Sequence, residues 1–198
     1  MSKLLREFYV RPSVVQIAKD LLGKYLLTRL EDTATGGMIV ETEAYAGPED
    51  RASHAYNSRR TSRTEIMFHE GGVAYVYLCY GIHHLFNIVT NVEGIPHAVL
   101  IRAIEPTDGV ELMLHRRNMK EVSLKFSGGP GTLTQALGIK TTHTQTDLTG
   151  EQIWLEDRGF LVPEDEIIAG PRVGVSYAGE DAENPWRFQL KNRSNGVF

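Results

Sequence analysis

Two charges in this chain stand in apolar surroundings. Glu43 lies in Glu41-Thr-Glu43-Ala-Tyr45, where an apolar strand runs into a Gly-Pro turn. Arg102 interrupts the run Ala98-Val-Leu-Ile-Arg-Ala-Ile104. An arginine in that setting must be paired, so an acidic partner is expected close by. His54 follows in a polar segment, where it is either solvated or in contact with a ligand. Tyr45, Tyr75, Tyr77 and Tyr80 add aromatic surface. One carboxylate, one arginine and a set of aromatic rings suit hydrolysis at a sugar carbon, because a carboxylate both activates water and stabilises an oxocarbenium-like transition state. The second, protonated carboxylic acid usual in glycosidases is not evident near these residues. That fits a leaving group already good, such as an alkylated, positively charged purine. His83-His84 invites a metal, but adjacent strand residues face opposite sides, so neither a metal nor another cofactor is expected.

These residues have to be positioned by strands. Gly71 to Arg102 is the longest strand-like block, and it reads as an antiparallel meander. Alternation over Val73 to Tyr80 puts Val73, Tyr75, Tyr77 and Cys79 on one face. Tyr80-Gly81 reads as a turn before the apolar run Leu85–Val89, and Asn91 to Gly94 as a second turn before His97–Ile104. A tyrosine at a hairpin reversal is either a packed sheet residue or an aromatic wedge of the kind that parts a base stack. Upstream, Pro12 to Gly23 is an amphipathic helix capped by Ser13, followed by strands over Tyr25–Arg29 and Met38–Ala44. Arg51 to Glu70 is polar with few apolar anchors, longer than an ordinary loop. Glu105 to Asp108 is expected to start a helix ending in His115-Arg-Arg117. The glycine-rich Ser127–Thr132 leads into a helix over Leu133–Leu137. Further strands are expected at Ile153–Leu155, Gly170–Ser176 and Trp186–Leu190.

At 198 residues the chain fits one domain, taken as 1–198. The single cysteine, Cys79, excludes an intramolecular disulfide and a cysteine-cluster zinc site, and it reads as a small buried strand residue. The absence of a long apolar run points away from membranes and toward a reducing cytoplasm, with nucleoid association if the source is bacterial. A formal charge of −4 argues mildly against general nucleic-acid binding, yet the charge is uneven. Basic residues cluster at Arg51–Arg63, at Arg116–Lys125 and at Arg187, Lys191 and Arg193. Acids gather in Glu31–Asp50, Asp147–Glu166 and Glu180–Glu183. One basic face on an acidic body is able to bind phosphates.

Several blocks taken together resemble one family: ETEAYAGPEDRASHA (Glu41–Ala55), YVYLCYG (Tyr75–Gly81), FNIV (Phe86–Val89), VLIRAIEP (Val99–Pro106), GPGTLTQALGI (Gly129–Ile139) and PRVGVSYAG (Pro171–Gly179). They are similar, in order and over nearly the whole chain, to the mammalian-type alkyladenine, or 3-methyladenine, DNA glycosylases. The resemblance implies an α+β single domain with a mixed, largely antiparallel curved sheet, flanking helices and a protruding hairpin. It implies a base-excision repair enzyme that flips a damaged purine from duplex DNA and hydrolyses its N-glycosidic bond; one-to-one action on a DNA site makes a monomer sufficient, and no cofactor is expected. By the same resemblance Glu43 is the general base, and Arg102 with the main-chain carbonyl of Val173 holds the attacking water. Tyr45 and Tyr77 sandwich the flipped base, His54 touches its edge, Asn87 clashes with the exocyclic amine of normal guanine, and Tyr80 fills the vacated space in the stack. His83 and His84 depart from the family pattern at the hairpin tip, which puts lesion range in doubt more than activity. No lysine stands among the site motifs to form a Schiff base, so strand cleavage is not expected.

Two other classes compete. One is a noncatalytic nucleic-acid-binding module related to the C-terminal domain of methionyl-tRNA formyltransferases; Glu43, Arg102, Tyr45, Tyr77 and Asn87 occurring together speak against it. The other is a nucleoside hydrolase, which would have no need of Tyr80.

Overall fold

The computed structural model describes residues 1–30 and 32–191, so Glu31 and Arg193 of the charge clusters lie outside the described residues. Its strands are β1 (Ser2–Lys3), β2 (Tyr25–Thr28), β3 (Thr35–Tyr45), β4 (Ala74–Cys79), β5 (His83–Thr90), β6 (His97–Asp108), β7 (Ile153–Asp157), β8 (Ile167–Gly170) and β9 (Arg187–Leu190). The helices are α1 (Arg6–Tyr9), α2 (Val14–Asp20), α3 (Val110–Arg117), α4 (Leu124–Ser127) and α5 (Pro130–Leu137). The α+β expectation holds. All described strand pairings are antiparallel, in one curled sheet ordered β1-β7-β2-β3-β6-β5-β4, with β9 joined to β3 and β8 to β9.

β3 is the spine. Residues 35–44 of this strand are all buried. Its N-terminal half pairs with β2, its C-terminal half with β9, and its other edge with β6 over nearly its full length. Even-numbered residues of the hairpin strands, among them Val76, Phe86 and Ile88, enter the main core with α2, α3 and α5. α2 forms as its pattern dictates: Ser13 Oγ accepts from Gln16 N at 3.2 Å, and Val14, Ile17 and Ala18 are buried. It is tied to the spine where Thr42 Oγ1 donates to Ala18 O at 2.8 Å.

The other face of the sheet carries a second cluster. Ile66, Met67 and Phe68 form a short 3-10 helix and bury against Tyr75, Val89 and Ala98. Arg51–Glu70 is therefore anchored, contrary to its polar reading, because three apolar residues suffice when all of them face inward.

Three other boundaries differ from expectation. Glu105–Asp108 continue β6 and the helix begins at Val110. Pro106 is tolerated there because β5 pairs with β6 only as far as Leu100, leaving an edge that needs no N–H. The strand expected at Gly170–Ser176 lies earlier, at Ile167–Gly170, since Pro171 cannot donate to a ladder and Gly174 turns the chain at φ 76°. α5 starts at Pro130 rather than Leu133, with proline in the first turn where its absent N–H costs nothing.

Candidate active site

Strand alternation and register decide which side chains meet. Glu43 pairs with Leu100, Leu100 with Asn87, and Asn87 with Tyr75, so one row crosses β3, β6, β5 and β4 on the face away from the helices. At about 4.8 Å per strand, Glu43 and Asn87 stand roughly 10 Å apart along that row. A cavity of about 420 Å³ opens over it. Tyr45, His54, Tyr77, Tyr80, Asn87, Arg102 and Val173, chosen from sequence, all line this one cavity. Glu43 sits directly behind the wall, fully buried, in contact with three of them.

The carboxylate of Glu43 is held from two sides. Oε1 accepts from Val173 N at 2.8 Å and lies 3.2 Å from an Arg102 guanidinium nitrogen; Oε2 accepts from Tyr45 Oη at 2.7 Å. Two carboxylate oxygens offer about four lone-pair directions, and these donors occupy three. Arg102 is paired as its apolar setting demands: its Nε donates to Glu41 Oε1 at 2.7 Å, and Arg187 Nε donates to the same oxygen at 2.6 Å. Burial works against the charge of Arg102, but Glu43 and Glu41 outweigh it and hold its guanidinium above its ordinary value. Burial, then Glu43, pushes the Tyr45 hydroxyl well up, so it stays a donor to the carboxylate.

Arg102 reaches this position through the ladder. Between Ile39↔Ile104 and Glu41↔Ala103 the register slips on β3 at Val40, and between Glu41↔Ala103 and Thr42↔Ile101 it slips back on β6 at Arg102. Such irregularities re-aim side chains, and here one leaves Arg102 between the two glutamates.

The opposite wall is aromatic. Tyr77 and His54 meet edge to face with centroids 4.7 Å apart, and Tyr75 lies 5.5 Å from Tyr77. His54 Nδ1 and Tyr75 Oη are 2.8 Å apart. Burial first, then the charges of Arg63 and Arg59, pushes His54 down to about 4, so its imidazole is neutral near neutral pH. Burial raises the Tyr75 phenol to about 12. The amide nitrogen of Asn87, buried, donates to Tyr75 O at 3.2 Å and Leu85 O at 3.3 Å, which sets how its side chain is presented to the cavity.

Tyr80 is of another kind. It is 92% exposed at the tip of the β4–β5 hairpin with φ 50°, and Gly81 follows at φ 75°. Two positive φ values in succession make an I′-type reversal, where Asn-Gly is the favoured pair; a tyrosine in the left-handed region is strained. Cys79, expected buried, is half-buried on the cavity wall beside it. His83 and His84 serve packing: the His83 ring lies against Gly131, and His84 Nδ1 accepts from Thr141 N at 3.2 Å.

Sequence reasoning passes over four residues of this assembly. Glu41 and Tyr75 share strand parity with Glu43 and Tyr77, a signal that could have found them. Asp50 and Arg172 pair across 122 residues, and no local pattern marks them.

Comparison with known proteins identifies the family. A family model described as methylpurine-DNA glycosylase matches residues 7–194. A protein of Chlamydia felis (strain Fe/C-56) is 44% identical over 94% of this chain and 95% of its own length. One of Alkaliphilus oremlandii (strain OhILAs) is 42% identical over 96% of each, and one of Bacillus cereus (strain G9842) is 43% identical over 89% and 90%. All three carry the name "Putative 3-methyladenine DNA glycosylase".

Proposed function

The chain belongs to the methylpurine-DNA glycosylase family and is a DNA glycosylase of DNA repair; from that premise we propose that it excises alkylated or deaminated purines from duplex DNA by base flipping and a Glu43-activated water. The observation that carries this reading is a carboxylate with no exposed surface, held by Tyr45, Val173 and Arg102 at the wall of an aromatic cavity.

The damaged nucleotide rotates out of the stack, at a cost of a few kcal/mol that is least for mispaired or damaged bases. Tyr80 enters the duplex and fills the space left behind. The base slides between Tyr45 and Tyr77, with His54 at its edge. Neutral His54 offers one donor and one acceptor nitrogen, and the hydroxyl of Tyr75 engages the Nδ1 side. The side chain of Asn87 sits where the exocyclic amine of an undamaged guanine would go, so normal guanine meets a clash.

Arg102 and the main-chain carbonyl of Val173 hold the water that attacks C1′. Glu43 takes its proton as the C1′–O bond forms and the C1′–N bond breaks, and the bonding pair leaves with the purine. A cationic alkylated purine departs neutral and needs no proton, whereas a neutral deaminated purine departs as its anion and takes its proton from solvent. Among the described residues the cavity lining holds no aspartate or glutamate, which suits the cationic case, and Glu41, ion-paired to two arginines, is poorly placed to be an acid. Among the described residues the lining also holds no lysine for a Schiff base, so the expected product is an abasic site in an intact strand. One protein per lesion is sufficient, and a monomer in the cytoplasm, at the nucleoid in a bacterium, meets that need.

The test is single-turnover release of free base from duplexes carrying one hypoxanthine or one methylated purine. Glu43→Gln lowers that rate by about 10³-fold, within the range for loss of a general base. Undiminished release by this variant rules the mechanism out.

A further inference from the structure

Below the cavity lies an ion pair that the reaction scheme does not use. The side chains of Asp50 and Arg172 are both entirely shielded from solvent. Arg172 Nη2 donates to Asp50 Oδ1 at 2.9 Å, and its other terminal nitrogen reaches Asp50 Oδ2 as well. The fork is also spent on main chain: Nη1 donates to Ala44 O at 2.9 Å and Nη2 to Asp181 O at 2.9 Å. Its guanidinium carbon lies over two rings, 4.8 Å from the centroid of Tyr45 and 5.1 Å from that of Trp186. Asp50 organises its own loop, accepting from Ala46 N at 3.1 Å and from Ala52 N at 3.0 Å.

Three walls of the site therefore meet at one pair. Ala44 and Tyr45 are the end of the strand that carries Glu43. Ala52 leads into Ser53 and His54. Arg172 is followed directly by Val173, whose N–H reaches Glu43. Of the three contacts that orient Glu43, two come from residues Arg172 controls: Tyr45, whose ring it stacks on, and Val173, its covalent neighbour. Burying such a pair gives little net stability, because apolar residues of the same volume commonly do as well. Its burial is better explained by what it aligns, and a planar, bidentate, stacked guanidinium is not replaceable by lysine.

We propose that Arg172, locked to Asp50, is a positioning residue for base excision: it aims the Glu43 carboxylate by fixing Tyr45 and the Val173 amide together. This rests on Glu43 being the general base.

Arg172→Lys keeps the charge opposite Asp50 and loses the fork and the stack. Single-turnover base release by it is expected to fall about 10²-fold, the scale on which a misplacement of about 1 Å is felt. Its affinity for a lesion duplex, measured under conditions where excision is negligible, stays within about twofold of the unaltered protein, because phosphate contacts dominate duplex affinity and the fully buried Arg172 side chain can make none. A merely structural role would weaken binding and rate alike. If Arg172→Lys does not fold, the double variant Asp50→Asn with Arg172→Gln removes both charges and carries the same expectation. Glu43→Gln is run beside them. If Glu43→Gln is inactive and a folded Arg172 variant releases base as fast as the unaltered protein, the positioning role is wrong and the general base stands. If Glu43→Gln is fully active, both fall.

Discussion

The β3–β6 pair and the β4–β5 hairpin are antiparallel ribbons of one sheet, built on opposite terms. At Glu41–Glu43 the spine is flanked by β6 and β9, and its charges are neutralised within the protein by Arg102 and Arg187. The hairpin ends in open solvent on a strained tyrosine, and Ile82 beside it is 71% exposed. Where charge must be held in one geometry, the fold spends burial and ion pairs. Where the proposed wedge would meet DNA, it leaves an aromatic ring bare and accepts local strain. Changes in the first ribbon are thus expected to show in stability and chemistry, and changes in the second in work on duplex DNA.

The largest effect is expected from Arg102→Ala, which strips a shared cation from two buried carboxylates. Breaking such a group costs about 3–5 kcal/mol, read as a lowered urea midpoint, and base release is lost with it. Stability within error of the unaltered protein would mean that Arg187 alone balances the pair. Glu43→Gln comes next, with its fall of about 10³-fold confined to rate; if DNA affinity fell in proportion, the division between ribbons would fail. Tyr80→Gly should separate the two most cleanly. It relieves a left-handed residue and so stabilises by about 1 kcal/mol, while duplex excision falls by about tenfold or more. A variant that gains stability and keeps full duplex activity removes the wedge.

The smallest effect sits in the segment packed against β4 of the second ribbon. His54 in the folded protein titrates at about 4, below its ordinary 6.5. Between those values the unfolded chain binds a proton that the folded chain refuses, so stability rises with pH across that window and this contribution is flat above it. His54→Gln should flatten the slope of melting temperature against pH there; an unchanged slope would assign it to other groups.

The parts legible in sequence are those set by local pattern. Ser13 and the Val14-Ile17-Ala18 spacing mark α2, and alternation from Tyr75 to Cys79 places those side chains on the cavity wall. Tyr80-Gly81 marks the reversal, and the apolar run around Arg102 demands the acids found beside it. What escapes depends on distant partners. β6 runs through Pro106 only because its far edge is unpaired, and Ile66–Phe68 bury only because a sheet face lies beneath them. Arg172 finds Asp50 only after the chain has closed on itself. The functional residues and most of those that align them, Glu41, Asp50 and Arg172 among them, lie in the same compact blocks, but the blocks do not say which partner each one meets.

Glu43 lies in the first quarter of the chain, yet Val173 and Arg187 come late in it. At about 5–20 residues per second, a ribosome takes several seconds to make the segment between them. During that time the cation that shares Glu41 and the amide that meets Glu43 do not yet exist. A chain stopped short of Val173 holds the carboxylate without its alignment, so catalytic competence should arrive late in synthesis. An incomplete copy of this repair enzyme is thus expected to be inert toward the genome it scans.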